Sequence, residues 1–445
     1  MRLQKITDCE TDILELAGLG AGPFNLSLAA LLDSQPTIST RFFDKKATFG
    51  WHPGLMLPGA HMQTSCLKDL VTAVQPTSPW SFISFLVNKG RFYSFLSTEK
   101  MVISRTEFVE YLSWVANNLS SVTFDTEIRE VSFTDHHFVL KSDHQSFKAR
   151  NLCLGTGKSP YTPQCTRRWL GPHCFHAGSL MTQDVDLANK RVAVIGGGQT
   201  GAEVFLNCLR GQWGKVAQVN WVSRRAGFEP LDESPFTNEY FTPGYVGQFL
   251  SLPGDKKERI VNYQKLASDG ITPAYLLELY RELYDRTYLG NGDMSWQLLP
   301  DRTLADMSLT STGYYDLRLF NALSECDEQL AADVVILCTG FQNALPEYLE
   351  PIREQLTMDQ QNRFKLSPSF KVAWDGPEDR RIYAVNAGLH SHGIVEPQLS
   401  LTAWRSATII NDLMHEDVFP VNQPPGFIHW LSNTDFLPNG KGENG

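Results

Sequence analysis

Arg191-Val-Ala-Val-Ile195-Gly196-Gly-Gly198-Gln199-Thr200-Gly201 is a mostly apolar run that ends in glycines and continues, through Ala202 to Leu209, in helix-forming residues. A short apolar run closed by a glycine turn predicts a buried strand. The G-x-G-x-x-G supplies a tight turn, a close backbone approach and a helix N-terminus on which a pyrophosphate rests. The next apolar run, Gln218-Val-Asn-Trp-Val222, predicts a second strand, and it ends not in an acid but in Ser223-Arg224-Arg225. An acid there would repel a 2′-phosphate, whereas a hydroxyl and two guanidiniums bind one, so the pattern selects NADPH over NADH. The plain alternative is a solvated arginine pair at a strand end.

Roughly 180 residues earlier the same layout recurs. Ile13 to Ala17 predicts a strand, Gly18-Leu-Gly20-Ala-Gly22-Pro23 a glycine turn, and Phe24 to Leu32 a helix. Pro23 replaces the third glycine, which the first helical turn tolerates because the missing N–H has no intrahelical partner there. Thr40 to Asp44 predicts a second strand whose terminal acid can accept hydrogen bonds from an adenosine ribose. Such a loop on its own is often only a turn; the strand before it and the acid after it favour a dinucleotide. Two sites suggest one flavin and one nicotinamide.

A third strand-turn, Asp333 to Phe341, suggests that the chain then returns to the first domain, with Arg381 to Val385 as a further core strand. The expected fold class is α/β, with two Rossmann-like dinucleotide-binding domains and a smaller substrate-binding region. Residues 1–180 and 331–445 would form the FAD domain, and 181–330 the NADPH domain with a substrate-binding helical segment at about 230–290.

The chain's 445 residues allow two or three domains with separate cores. A net charge of −10 argues against nucleic acid or an anionic membrane as partner. Eight cysteines without a C-x-x-C pair suggest neither a disulfide framework nor zinc, and read as reduced thiols of a cytoplasmic protein. No metal is expected. Glu15, the glycines and Pro23 break the apolar N-terminal stretch, which therefore reads as strand, turn and helix rather than a membrane span or signal.

Taken together, several segments resemble one family, the microbial N-hydroxylating flavin monooxygenases of siderophore biosynthesis, and are most similar to its lysine N6-hydroxylase type. They are Gly18 to Ser27, Trp51-His-Pro-Gly54, His61-Met-Gln-Thr64, Leu67-Lys-Asp-Leu70, Gly196 to Gly201, Asn238 to Pro243, Cys338-Thr-Gly340 and Glu396 to Leu401. The resemblance covers nearly the whole chain. It implies FAD, NADPH and O₂ as reactants, a flavin C4a-hydroperoxide as oxidant, a small amine as substrate, and a homo-oligomer, often a tetramer.

Carried over by position, the resemblance sets Gln63 against the isoalloxazine and Ser400 near the flavin ring and the amine. Lys68 would face an amino-acid carboxylate, with Asn238 a further substrate contact. FAD would lie against Gly18, Gly20, Gly22, Pro23, Asp44, Trp51, His52 and Gly340, and NADPH against Gly196 to Gly201, Ser223, Arg224 and Arg225. The chain departs from the pattern at Ala267-Ser268-Asp269-Gly270, where ornithine hydroxylases carry a second carboxylate-binding asparagine. Ser268 can substitute as a donor, but Asp269 would repel a carboxylate and suit an ammonium. Lysine and a diamine such as cadaverine or putrescine therefore both stay open, with ornithine behind them.

Blander readings stand beside these. Lys68 could pair with Asp69 on the surface, and His52 and His61 could be hydrogen-bonded structural residues. A flavin disulfide reductase would need a C-x₂-C or C-x₄-C pair, which is missing, and a Baeyer–Villiger enzyme an F-x-G-x-x-x-H motif, also missing. A non-catalytic nucleotide-binding protein is the rival of a different class.

Overall fold

A computed structural model describes residues 13–134, 136–290, 295–422 and 426–430. Strand β1 (Leu14–Leu19) lies between β2 (Thr40–Phe43) and β6 (Ser146–Leu154), parallel to both, and β3 (Val122–Thr123) extends the sheet beyond β2. On the other side, β4 (Ile128–Thr134) and β5 (His137–Ser142) join β6 as an antiparallel meander. Burial along β6 changes with its neighbours: exposed positions recur in the half beside β5, and Asn151–Leu154 are all buried where β1 and β17 (Ile382–Ala384) flank it. Parallel strands covered on both faces demand that continuous apolar run.

Helix α1 (Pro23–Leu32) is buried at every residue but Phe24. It packs with α4 (Arg105–Asn118) and α11 (Thr402–Met414) into one core on this sheet, together with α2 (Phe82–Asn88) and Phe92 and Phe95 of α3 (Phe92–Leu96).

The second sheet is wholly parallel, in the order β11 (Trp296–Leu299), β10 (Gln218–Val222), β9 (Arg191–Ile195), β15 (Val334–Leu337), β8 (Cys174–His176). Helix α5 (Gln199–Leu209) follows the turn after β9. Both sheets carry the strand-turn-helix of a Rossmann-like fold. The antiparallel β12 (Arg302–Leu309), β13 (Tyr315–Asn321) and β14 (Cys326–Ala332) stand between β11 and β15.

The expectation for Asp333 to Phe341 is corrected here: this strand is β15 of the second sheet, not a return to the first. Asp333 fixes the choice, because its carboxylate takes the Arg191 backbone N–H at 2.8 Å and the Arg191 guanidinium at 2.7 and 3.1 Å. β8 likewise belongs to the second sheet, although it precedes residue 181. The return comes later, where β16 (Phe341–Gln342) runs antiparallel to β7 (Ser159–Pro160) and the chain goes on to β17, which does join the first sheet.

The 230–290 stretch carries α6 (Pro243–Leu250), α7 (Gly254–Tyr263), α8 (Leu266–Asp269) and α9 (Pro273–Tyr284). No helix among the described residues is long and apolar enough to cross a membrane.

Short helix α10 (Leu389–His392) places His392, 1 % exposed, flat on Phe370 with ring centroids 4.2 Å apart. Burial, with smaller contributions from Arg405 and Lys257, lowers its pKa to about 3. The ring is therefore neutral when folded and takes a proton only on unfolding, so stability falls as pH drops from 6.5 toward 3. The loss expected from this group is about 3 kcal/mol by pH 4. Denaturant midpoints at pH 7 and pH 4 check it: His392→Gln should flatten the difference, and an unchanged pH dependence would refute the assignment.

Candidate active site

At the carboxyl end of β1 the chain turns at Gly20 with φ +87°, and a Cβ there would stand 2.6 Å from the Gly155 carbonyl oxygen. Glycine is thus required twice, by the left-handed backbone and by the approach of the loop after β6. Asn25 locks the turn, its Nδ2 donating to the carbonyls of Gly20 at 2.7 Å and of Leu19 and Cys153 at 3.3 Å. Gly22 faces open space, where a Cβ would meet nothing nearer than 3.9 Å, and Pro23 opens the helix behind it.

Asp44, 6 % exposed at the end of β2, accepts the Ala21 and Lys46 backbone N–H groups, each at 3.0 Å. It braces the glycine turn and keeps lone pairs for a ribose hydroxyl. Near the end of β17 and the start of α11, Asn386 Oδ1 and Thr402 Oγ1 are buried without a protein partner. An open glycine seat, a bracing acid and unpaired polar atoms fit a flavin dinucleotide.

Trp51 packs edge-on against Phe108 at 5.6 Å and against His52 at 5.3 Å. His52 has φ +46° and is exposed. Its protein-lined surroundings, then Arg105 and Lys46, lower its pKa to about 4, so near neutral pH it is an uncharged hydrogen-bonding group. Gly340 sits beyond β15, and its carbonyl accepts the Tyr161 N–H at 2.9 Å and lies 3.0 Å from His176 Nε2, while neighbouring Phe341 meets His52 at 5.4 Å. His61 is exposed, its Nδ1 2.9 Å from the Gly59 carbonyl.

The second cradle repeats the first with different chemistry. Trp221 Nε1 holds the Gly196 carbonyl at 2.8 Å, while Gly198 and Thr200 open α5. A Cβ on Gly198 would meet nothing nearer than 3.9 Å, and one on Gly201 would strike the Gly196 carbonyl oxygen at 2.0 Å. Ser223 is fully buried beneath Gly197 and accepts the Arg225 N–H at 3.1 Å. Arg225 gives Nη2 to the Asp269 carbonyl at 3.1 Å, yet its Nη1 is buried with no partner, and Arg224 is exposed beside it. An unpaired guanidinium nitrogen next to a buried hydroxyl fits a phosphate.

Gln63 reaches the second cradle from a loop of the first unit. Its Nε2 lies 3.3 Å from Thr272 Oγ1, 3.4 Å from the Gly270 carbonyl and 3.5 Å from Gln199 Oε1. Three long contacts leave the donor free to turn toward a ligand. Ser268 donates its hydroxyl within its own turn, to the Lys265 carbonyl at 3.2 Å and to Asp269 Oδ1 at 3.3 Å, while its carbonyl accepts Gln398 Nε2 at 3.4 Å. That last bond ties the 268 segment to the turn carrying Ser400, which is 8 % exposed. Asn238 is exposed on the 237–241 turn and has no side-chain bond to this cluster among the described residues.

Lys68 does not pair with Asp69. Asp69, 3 % exposed, points inward and accepts the N–H groups of Val71, Thr72 and Phe82 and the Thr72 hydroxyl, at 2.7 to 3.0 Å. The acid builds the loop, and the half-buried Lys68 ammonium makes no ion pair or hydrogen bond among the described residues. Desolvation lowers its pKa. Sequence reasoning missed Arg105, Glu203, Thr272 and Gln398, since no spacing signal joins residues so far apart in the chain.

A sequence profile described as L-lysine 6-monooxygenase/L-ornithine 5-monooxygenase matches residues 12–343. The L-lysine N6-monooxygenase of Escherichia coli is 43 % identical over 423 residues, 95 % of this chain and 99 % of that protein. The putrescine N-hydroxylase of Shewanella oneidensis is 31 % identical over 93 % of this chain and 83 % of its own. Among solved structures, the FAD-bound cadaverine monooxygenase of Erwinia amylovora superposes with a TM-score of 0.90 at 28 % identity, covering 96 % of this chain and 100 % of that one. The Kutzneria ornithine N-hydroxylase with reduced FAD, NADP⁺ and L-ornithine gives 0.83 at 26 % identity, covering 91 % and 99 %. The chain belongs to the L-lysine 6-monooxygenase/L-ornithine 5-monooxygenase family and is an FAD- and NADPH-dependent flavin N-monooxygenase.

Proposed function

We propose that this enzyme hydroxylates the terminal amine of L-lysine with O₂, as a step toward a hydroxamate siderophore. One observation carries the substrate choice: Lys68 is a half-buried cation with no anion beside it among the described residues. The carboxylate of an amino acid would satisfy it, whereas a diamine would leave it unpaired, which is costly in a desolvated site. The 43 % relative that acts on L-lysine supports the same choice.

Bound FAD, reduced by NADPH, supplies the activated oxygen. The polypeptide must supply an uncharged amine. An alkylammonium with a pKa near 10.4 is neutral in roughly one molecule in a thousand or fewer at pH 7, a cost on the order of 4 to 5 kcal/mol. Desolvation in the cleft lowers that pKa. In this reading Lys68 anchors the carboxylate, Asn238 and Ser268 offer further polar contacts, and Gln63 and Ser400 line the flavin side. Gly18, Gly20, Gly22, Pro23, Asp44, Trp51, His52 and Gly340 hold FAD. Gly196, Gly198, Gln199, Thr200 and Gly201 seat the nicotinamide dinucleotide, and Ser223, Arg224 and Arg225 its 2′-phosphate.

A diamine is the second reading, supported by the exposed Asp269 beside Ser268, which would favour an ammonium in place of a carboxylate. Hydroxylamine formed per NADPH, measured side by side with lysine, ornithine, cadaverine and putrescine, separates the two. Lysine should couple best; equal or better coupling with cadaverine would reverse the ranking.

A homo-oligomer belongs to this proposal, supported by the exposed Leu277, Tyr280 and Tyr284 of α9 and Tyr288 of the helical turn that follows it, which association would cover. So does a cytoplasmic location, supported by cysteines that are free among the described residues.

A further inference from the structure

Glu203 is the one acid on α5, and it is wholly buried at the seam between the two units, 0 % exposed. Its Oε2 accepts Arg105 Nη1 at 3.2 Å, from the first turn of α4 in the first unit. The same Nη1 also reaches the Leu55 carbonyl at 3.3 Å. On the other side, Glu203 Oε1 accepts Gln199 Nε2 at 2.9 Å. With its nitrogen so engaged, Gln199 must turn its oxygen outward, where it accepts the Thr272 backbone N–H at 2.9 Å and stands 3.5 Å from Gln63 Nε2. One carboxylate thereby connects α4, the first turn of α5, the start of α9 and the loop of Gln63.

Burying a charge here is expensive, and a well-packed apolar residue would give a seam of equal or greater stability. What the apolar residue could not give is a fixed direction for the Gln199 amide. We propose that Glu203 is a positioning residue that, through Arg105 and Gln199, sets the distance between the Gln63 loop and the first turn of α5, and so aligns the nicotinamide cradle with the flavin cradle for hydride transfer. It rests on the reading that Gln63 lies against the flavin.

The test is anaerobic reduction of the FAD-loaded protein by NADPH, followed by flavin absorbance, in wild type and Glu203→Gln. The amide keeps the shape of the side chain and removes its charge. Expected is flavin reduction at least 10-fold slower, a larger share of NADPH oxidised to hydrogen peroxide rather than hydroxylamine, and FAD content, melting temperature and KM for lysine near wild type. Wild-type reduction and coupling in a folded variant would overturn the proposal, as would a rate loss that only follows loss of FAD or of melting temperature. Should Glu203→Gln fail to fold, Gln199→Met breaks the same tie from its other end and should slow reduction likewise; a folded Gln199→Met that reduces normally overturns the proposal too. The reduction assay contains no amine, so it reads Glu203 independently of whether lysine is the substrate.

Discussion

Lys68→Ala should raise KM for L-lysine by roughly 10- to 150-fold, the range given by about 1.5 to 3 kcal/mol for a hydrogen bond to a charged group. NADPH oxidation without amine should stay within about twofold of wild type, because Lys68 belongs to the loop braced by Asp69 and not to either glycine turn. A rise in KM with little change in kcat is the pattern of an interaction made equally in the ground and transition states, as expected for a carboxylate anchor remote from the reacting nitrogen. The discriminating measurement is the same constant for cadaverine, which has no carboxylate and should bind no worse than before. If KM moved in parallel for both amines, Lys68 would be shaping the pocket rather than reading the carboxylate, and the lysine assignment would lose its main support.

The second large effect concerns the NADPH cradle. Gly196 has φ +137°, and a Cβ there would stand 2.1 Å from the Cys338 carbonyl oxygen, a backbone atom of the strand end that cannot rotate away. Gly196→Ala should therefore distort the turn and reduce flavin reduction by NADPH by about two orders of magnitude, since backbone strain and overpacking each cost on the order of 1 to 3 kcal/mol. FAD content should survive, and dithionite should still bleach the flavin. Gly198→Ala is the gentler companion. A Cβ at that position meets no protein atom nearer than 3.9 Å, so the fold should be untouched while the seat of the pyrophosphate is partly filled. KM for NADPH should rise by roughly 30-fold, about 2 kcal/mol, at unchanged melting temperature. Unchanged KM in Gly198→Ala would mean that the turn does not face a nucleotide.

The two strand-turn-helix units were readable because their determinants are local. A glycine that must turn, an apolar run that must be covered on both faces and a proline tolerated in a first helical turn each depend on a few consecutive residues. The expectation for Ser223 and the arginine pair rests on the same kind of local reading, since they stand at a fixed distance from the fingerprint they qualify. The choice of neighbour was not readable. Val334–Leu337 would fit the parallel part of either sheet, and it joins the second because Asp333 reaches Arg191, 142 residues away. For Lys68 a surface pair with Asp69 stood as the blander alternative to a substrate contact, and only the folded loop shows the acid turned inward to gather backbone N–H groups.

What local residue chemistry settled, then, was the presence of two nucleotide cradles and the phosphate preference of one of them. Tertiary packing alone decided which sheet each strand entered, that Lys68 has no anion beside it among the described residues, and the meeting of Gln63 with Gln199 across 136 residues and of Arg105 with Glu203 across 98. Backbone dihedrals and glycine turns are set by short stretches of chain, but the desolvation that gives a buried charge its meaning exists only once distant segments close around it.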